Sequence, residues 1–392
     1  MPRRKALRQP AQPESNPSIH PPAALPKRDG LFGFLDWGTQ VKVLVLMALL
    51  LYANTLFNGY ALDDDVVVVR NTHVQNGLAG IPDLLNKDSF HGYLGKDTDF
   101  LPGGRYRPLS LVMFAIESEF FGKMPFIGHL VNVLLYGFTA WLVLFLLGRQ
   151  LMPKRPDLAF LAAFLFVIHP LHTEVVANIK SRDELLSLVL LLATLIAVFR
   201  AIQTEGHAAT RSMIVALGLY FLALLAKENG VMLVVLLPLT LYFFSNLKGP
   251  RIGLVTFPFV VILLLYLAIR TAVLGDNLTA AYEDDMTNPY LQASFIEKYA
   301  TIFYVQLKYL LLLIWPHPLS WDYSYPQIEF RNLASLDFWL AVAAIGGLFG
   351  WAVSRLRSRH PASWGLLFYF ISMALVANVV INIGAPMGER FA

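Results

Sequence analysis

The sequence contains no cysteine and little charge. None of its 392 residues is cysteine, and 15% are Asp, Glu, Lys or Arg, against about 25% in a typical soluble protein. The first absence excludes disulfides, thiolate metal sites and cysteine nucleophiles. The second, together with 56% hydrophobic residues and repeated apolar runs, predicts an all-α polytopic membrane protein. The net charge of +4 then relates to membrane orientation and not to nucleic-acid binding.

Nine apolar runs are predicted to enter the membrane. They are residues 41–57, 126–147, 158–168, 185–199, 212–225, 231–244, 252–274, 336–353 and 364–381. Several are short, so their ends must extend into polar flanks or pack inside a bundle. Two further apolar stretches carry charges, 109–121 with two glutamates and 299–315 with Lys308. We predict that both are interfacial helices, or that the second is re-entrant.

Short basic loops orient these spans. Lys and Arg concentrate at 149–155, 200–211, 248–251 and 355–359, and loops of this kind face the cytoplasm. Residues 1–40, basic and proline-rich, are predicted to be a disordered cytoplasmic tail, followed by one membrane domain over 41–392. Because no polar tail follows the last span and no 34-residue repeat is present, we expect the chain to be truncated at its C-terminus.

Five polar clusters are predicted to meet on the outer side. They are Asp63-Asp64-Asp65; Arg107 with its neighbours Tyr106 and Pro108; the segment 169–184 with His169, His172, Glu174, Lys180, Arg182 and Glu184; Lys227-Glu228; and Glu389-Arg390. Charged residues at span ends are costly unless they are paired or face water, which makes them functional candidates. Adjacent carboxylates also resist ionising together, so at least one pKa among the three aspartates should rise.

The residue types suit group transfer from a phosphate donor. A carboxylate of the acidic run can be the general base on a hydroxyl, while Arg182 and Lys227 can hold a leaving phosphate. Other interpretations stay open at this stage. The acidic run can be a solvated turn or can hold a divalent cation, Arg107 can reach to headgroups, and Lys227 can pair with Glu228 to close a tight turn. We expect no metal site at 169–174, because a proline there breaks the helical ligand spacing.

The order of motifs resembles one family. The chain carries Leu-Asp-Asp at 62–64, Tyr-Arg-Pro-Leu at 106–109, His-Pro-Leu-His-Thr-Glu at 169–174, Ser-Arg-Asp-Glu-Leu-Leu at 181–186, Ala-Lys-Glu-Asn-Gly at 226–230 and Gly-Glu-Arg-Phe at 388–391. This order resembles the membrane domain of the transmembrane and tetratricopeptide-repeat O-mannosyltransferases and their bacterial relatives, in the GT-C glycosyltransferase superfamily. The resemblance extends over residues 54–391.

The resemblance implies a GT-C-type helical bundle. The polar residues 58–107, with Gly-Gly at 103–104 and many Asp, are predicted from the sequence itself to be a structured first outer loop. The resemblance also implies inverting transfer of mannose or another hexose from a polyprenyl-phosphate donor to a hydroxyl acceptor, a Ser or Thr of a protein, without a metal or other cofactor. Asp63 or Asp64 would be the base. The implied substrate-binding residues are Arg107, His172, Glu174, Arg182, Lys227, Glu228, Glu389 and Arg390. We expect a bacterial inner membrane, with the active site on its periplasmic face.

Two other functions are compatible with a polytopic membrane protein. A lipid-carrier flippase or transporter would need charges along a path through the bundle, whereas the predicted mid-span positions are largely apolar. A non-catalytic anchor for a missing repeat domain would not need dense outer polar clusters. The sequence therefore favours the enzyme.

Overall fold

The computed structural model of the protein describes residues 35–95, 104–275, 288–323, 327–379 and 383–391. These residues form helices and turns, without a strand among them, so the protein is an all-α polytopic membrane protein, as predicted. The predicted tail lies outside the described residues except for 35–40. Of these, 37–40 are already helical, because the Asp36 side chain caps the first helix by accepting from the Gly38 and Thr39 amides.

Fifteen α-helices are present in the described residues. They are α1 (Trp37–Leu51), α2 (Thr72–Gln75), α3 (Ile81–Asn86), α4 (His91–Leu94), α5 (Pro108–Phe121), α6 (Pro125–Phe145), α7 (Pro156–Ile168), α8 (Thr173–Ala177), α9 (Arg182–Gln203), α10 (Gly206–Ala226), α11 (Leu233–Phe244), α12 (Gly249–Leu274), α13 (Phe295–Leu312), α14 (Leu336–Ser354) and α15 (Pro361–Val376). Tighter 3₁₀ turns extend α1 to Phe57 and precede α11 from Glu228.

Six stretches of the described chain are long and apolar enough to cross a membrane. They are Trp37–Phe57, Pro125–Leu151, Arg182–Gln203, Gly206–Ala226, Gly249–Leu274 and Leu336–Ser354, and they match six of the nine predicted spans. The other three predicted spans form shorter apolar helices. Of these, α7 continues through a bend of 49° into Pro170–Ala177, and the pair together has the length of a span.

The last predicted span is shorter than expected. Helix α15 ends at Val376 and not at 381. The next turn holds Asn378 in the left-handed backbone region, with φ 58°. Its side chain accepts from the Ile383 amide at 2.7 Å and donates to the Ala385 carbonyl at 3.0 Å. Because asparagine tolerates this conformation and bonds the backbone locally, the helix stops before the apolar run does.

The basic loops gather at one end of the bundle, which we call the basic end. Arg149 after α6 stacks on Trp37 at the start of α1, with its guanidinium carbon 4.2 Å from the ring centre. Arg359 after α14 donates to the Ser245 carbonyl after α11 at 3.0 Å. Sequence charge bias thus predicted correctly that the arginines after α14 lie with the earlier basic loops.

Helix α13 has both ends near the opposite end of the bundle. Towards its start, the Thr301 hydroxyl accepts from the Arg331 amide, which precedes α14, at 2.8 Å. Towards its end, the Tyr309 hydroxyl bonds the Gly388 backbone, and the Leu313 carbonyl lies 3.2 Å from a ring nitrogen of His169. This arrangement is compatible with the predicted interfacial or re-entrant helix, because α13 is not among the stretches that could span.

Residues 60–95 and α5 form a small module with its own apolar core. Val68, Val74, Leu84 and Phe114 are all buried in it. Both glutamates of α5 make contacts with other parts of the protein. Glu119 accepts from the Leu78 amide at 3.1 Å, and Glu117 reaches the next layer of the bundle. The described part of the predicted first outer loop is therefore structured, as predicted.

Candidate active site

The predicted polar clusters meet at the end of the bundle opposite the basic loops. This region, which we call the site end, contains residues 59–65 after α1, Arg107, residues 172–184, residues 227–228 and residues 389–390. The apolar helices bring these distant segments together because consecutive spans run in opposite directions. Charges that are far apart in sequence therefore become neighbours.

Arg107 is the centre of a largely buried ion-pair network. Its Nη1 lies 2.7 Å from Oδ2 of Asp183, and its Nε lies 2.8 Å from Oε2 of Glu228. Lys227 pairs with Glu184 and lies 3.7 Å from Oδ1 of Asp183. The ion pair between Lys227 and Glu228 considered above is not the arrangement seen. Each of these two residues pairs with a different helix instead, so the network joins α5, α9 and the α10–α11 turn.

The three adjacent aspartates have three different environments. Asp64 is 1% exposed, and its carboxylate accepts from the Ala61 amide at 2.9 Å and the Lys180 amide at 2.8 Å. Burial raises the pKa of Asp64, while the two amide bonds oppose the rise. Asp64 thus ties the acidic turn to the segment before α9.

The Asp63 side chain contacts the other end of Lys180, its ammonium group. It is 63% exposed, and one oxygen lies 3.4 Å from the ammonium nitrogen of Lys180. Asp65 pairs with Arg70 at the surface instead. Of the three, Asp63 is therefore the carboxylate that faces both solvent and the cations of the site end.

Lys180 lies among cations as well as anions. Burial lowers the pKa of its ammonium group, Arg107 and Lys227 lower it further, and Asp183 and Asp63 oppose the shift. The Lys180 side chain is 14% exposed. An additional anion next to Lys180 would relieve the repulsion among the three cations, so this position suits a phosphate.

The predicted pair near the C-terminus also reaches the site end. The Arg390 guanidinium pairs with Glu174, and its amide donates to the same carboxylate at 2.8 Å. Arg390 also interacts electrostatically with Asp63. Glu389 accepts from the Tyr323 hydroxyl at 3.0 Å, and burial raises its pKa. Glu389 therefore anchors the segment that presents Arg390.

The two histidines of the His-Pro-Leu-His motif lie in packed surroundings. The His172 ring centre is 4.4 Å from that of Phe166 and 5.7 Å from that of Tyr136. His169 contacts the Leu313 carbonyl as described above. A substrate contact for His172 stays a prediction, since its ring packs at the junction of α6, α7 and α8. Within the described residues, no group of three or more metal-type ligands is present.

Arg182 lies deeper than the sequence suggested. It is fully buried, its Nε donates to Oδ1 of Asn132 at 2.9 Å, and its Nη2 donates to the Gly128 carbonyl at 2.9 Å. Its Nη1 pairs with Glu117, and the guanidinium stacks over Phe114 at 4.3 Å. All three nitrogens are thus bonded inside the protein, and a direct phosphate contact stays a prediction.

Four residues of this region have partners that the sequence does not identify. Lys180 and Glu184 belong to a predicted polar cluster without an assigned role, Asp183 stands only within a motif, and Glu117 is predicted only as an interfacial charge. The available signal was the charge itself, since carboxylates inside apolar helices require partners. Which partners they have depends on the fold.

The chain is similar to curated proteins over most of its length. It is 30% identical over 338 residues to Protein O-mannosyl-transferase Tmtc1 of Drosophila melanogaster, covering 80% of this chain and 38% of that protein. It is 25% identical over 385 residues to mouse Protein O-mannosyl-transferase TMTC3, covering 90% and 40% of the two chains. Identity to human Protein O-mannosyl-transferase TMTC2 is 28% over 344 residues, covering 79% and 39%.

The chain spans about two fifths of the length of these three relatives. No family model and no solved structure matches it, so the GT-C-type architecture stays a prediction. This similarity, together with the order of motifs in the sequence, supports a relationship of the chain to the TMTC family of protein O-mannosyl-transferases.

Proposed function

We propose that this membrane domain is an inverting glycosyltransferase that moves mannose or a related hexose from a polyprenyl-phosphate donor to a Ser or Thr hydroxyl of a protein. The observation that carries the proposal is the position of Asp63. Its exposed carboxylate lies 3.4 Å from the ammonium nitrogen of Lys180, and Lys180 interacts electrostatically with Arg107 and Lys227. A candidate base thus lies next to a cation, within a cluster of further positive charge.

Each of these groups has a separate role in the proposed reaction. The Asp63 carboxylate accepts the proton of the acceptor hydroxyl as the oxygen attacks the anomeric carbon. The bond between that carbon and the phosphate oxygen breaks, with inversion, and the polyprenyl phosphate leaves with an added negative charge. Lys180 and Arg390 stabilise that charge by charge-assisted hydrogen bonds.

The ion-pair network keeps these cations in place. Arg107 is held by Asp183 and Glu228, and Lys227 is held by Glu184. Both contribute positive potential to the phosphate position without leaving their partners. Glu174 holds Arg390 in the same way. Pre-positioned charges of this kind stabilise a developing negative charge without reorganising during the reaction.

The distribution of buried charge supports an enzyme over a transporter. In the described part of the chain, five Asp, Glu, Lys and Arg residues are nearly inaccessible, and all belong to the site end. They are Asp64, Arg182, Asp183, Lys227 and Glu389. A transport path would place such groups near the middle of the spans. A non-catalytic anchor would have no use for five costly buried charges.

The membrane location completes the proposal. The charge bias of the basic loops supports an orientation with the basic end in the cytoplasm and the site end on the outer face. We expect a bacterial plasma membrane, where the polyprenyl chain of the donor would lie in the bilayer and its phosphate would reach the site end laterally, close to α13.

Reconstitution tests the proposal directly. The purified chain in lipid nanodiscs is incubated with polyprenyl-phosphate [³H]mannose and Ser/Thr-containing peptides, and label in the peptide is counted. We expect transfer that depends on Asp63. In proteoliposomes, movement of the labelled lipid between leaflets without transfer would show a flippase instead. Absence of both activities would support the anchor.

A further inference from the structure

The buried side chain of Arg182 joins three helices. It bonds Glu117 of α5 and both Gly128 and Asn132 of α6, and it begins α9. Its guanidinium has no exposed surface. A group in this position acts on a substrate only through its neighbours.

Those neighbours lead to the acidic turn. Asn132, also fully buried, uses its carbonyl oxygen for Arg182 and its amide nitrogen for the Asn178 carbonyl at 2.9 Å. The Asn178 side chain accepts from the Lys180 amide at 3.0 Å. That same amide donates to Asp64 at 2.8 Å. An unbroken series of hydrogen bonds therefore runs from Arg182 to the turn that carries Asp63.

Close packing supports the same segment. A Cβ added to Gly128 would lie 2.8 Å from Cδ1 of Ile179, so Ile179 fills the space that this glycine leaves on α6. The residues between α8 and α9 are thus held against α6 by packing at Gly128 and, one turn later on the same helix, by the hydrogen bond from Asn132. Small displacements of α6 would move Lys180.

We propose that Arg182 is a positioning residue that sets the place of Lys180 and the Asp63–Asp64 turn through Asn132 and Asn178, and that it does not bind the donor phosphate. This inference rests on the proposed function for its kinetic consequences. The structural part, that Asn132 and Arg182 act as one unit on residues 178–180, does not depend on it.

Two substitutions test the unit. Arg182→Lys keeps the charge but cannot make all three bonds of the planar guanidinium. Asn132→Ala removes the link to Asn178 and leaves α5 untouched. Each is expected to lower kcat at least tenfold and to leave KM for polyprenyl-phosphate mannose within twofold. The double variant should be no slower than the worse single one, because both remove the same link.

Thr139→Ala is the matched control on α6. Thr139 is equally buried, but its hydroxyl bonds only the Leu135 carbonyl one turn earlier. This variant should keep kcat within twofold. Asn132→Ala carries the test by itself if Arg182→Lys does not fold.

Hydrogen exchange gives a readout that needs no activity. In wild-type protein the Lys180 amide is bonded to Asp64 and Asn178, so it should exchange slowly. Asn132→Ala should speed its exchange at least tenfold, while Thr139→Ala should not. A tenfold rise in donor KM in Arg182→Lys, additive with Asn132→Ala, would overturn the proposal, as would unchanged exchange at Lys180. Absence of transfer by wild-type protein would refute the proposed function and leave the exchange test valid.

Discussion

Separate replacement of Asp63 and Asp64 by asparagine distinguishes a base from a structural carboxylate. The two side chains are adjacent in sequence, yet Asp63 is largely exposed and Asp64 is 1% exposed. We expect Asp63→Asn to remove the proton acceptor and Asp64→Asn to weaken the turn. Asp65→Asn is the matched control, because it removes the same charge from a surface pair with Arg70.

The magnitudes follow from these environments. Loss of a general base lowers kcat by about 10²–10⁴-fold. The exposed pair between Asp63 and Lys180 contributes little to stability, about 1 kcal/mol or less. In Asp64→Asn the side-chain amide nitrogen cannot accept a hydrogen bond, so Asp64 loses its bond to one of two backbone amides, that of Ala61 or that of Lys180. A hydrogen bond to a charged group contributes about 1.5–3 kcal/mol.

The assay measures transfer of labelled mannose to peptide alongside thermal unfolding in the same nanodiscs. Asp63→Asn should retain the wild-type unfolding midpoint and lose at least 99% of kcat. Asp64→Asn should unfold at a lower temperature and, well below that temperature, keep more than a tenth of kcat. Asp65→Asn should resemble wild type in both. If Asp63→Asn transferred normally while a folded Asp64→Asn did not, the roles assigned here would be reversed.

Three further predictions concern stability. Arg107→Ala should lower the free energy of unfolding by about 3–5 kcal/mol, since it leaves the buried Asp183 without its bonded cation; an unchanged thermal midpoint would contradict this. The pKa of His73 is lowered mainly by burial, so its contribution to the stability of the module formed by residues 60–95 and α5 is present above about pH 6.5 and is lost as the pH falls. The charged or titratable groups that affect it are Asp83, Lys87 and His91. Proteolysis of that module should therefore accelerate between pH 7.5 and 5.5, and His73→Gln should flatten the response. Gly77→Ala should destabilise more than Gly95→Ala in chemical denaturation: both have positive φ, but only at Gly77 would the Cβ collide, 1.9 Å from a carboxylate oxygen of α5.

Much of the architecture was predictable because its causes are local. Apolar runs of membrane length predicted six spans whose helices the structure contains, and loop charge predicted that Arg359 lies with the basic loops. The predicted helix boundaries were wrong where a single side chain sets the end of a helix. Asp36 starts α1 before the apolar run begins, and Asn378 ends α15 before it stops.

The sequence predicted which residues gather at the candidate site, but it could not predict which of them pair with one another. Charge at span ends identified Asp63, Lys227 and Arg390 as neighbours of one membrane surface. It could not show that Arg182 is enclosed, because enclosure depends on Glu117 and Asn132 from two other helices. Its charge alone makes Arg182 a candidate for a phosphate contact, and that contact stays a prediction.

The sequence by itself determined that the chain enters a membrane and which residue types gather at one end of it, because hydropathy and the cost of burying charge act residue by residue. The tertiary structure alone decided which of the three adjacent carboxylates is exposed next to Lys180. Arg107 pairs with residues 76 and 121 positions away, and Asp64 bonds an amide 116 positions away. Such partners are set by where helix ends meet, and they leave Asp63, not its neighbours, facing the cations.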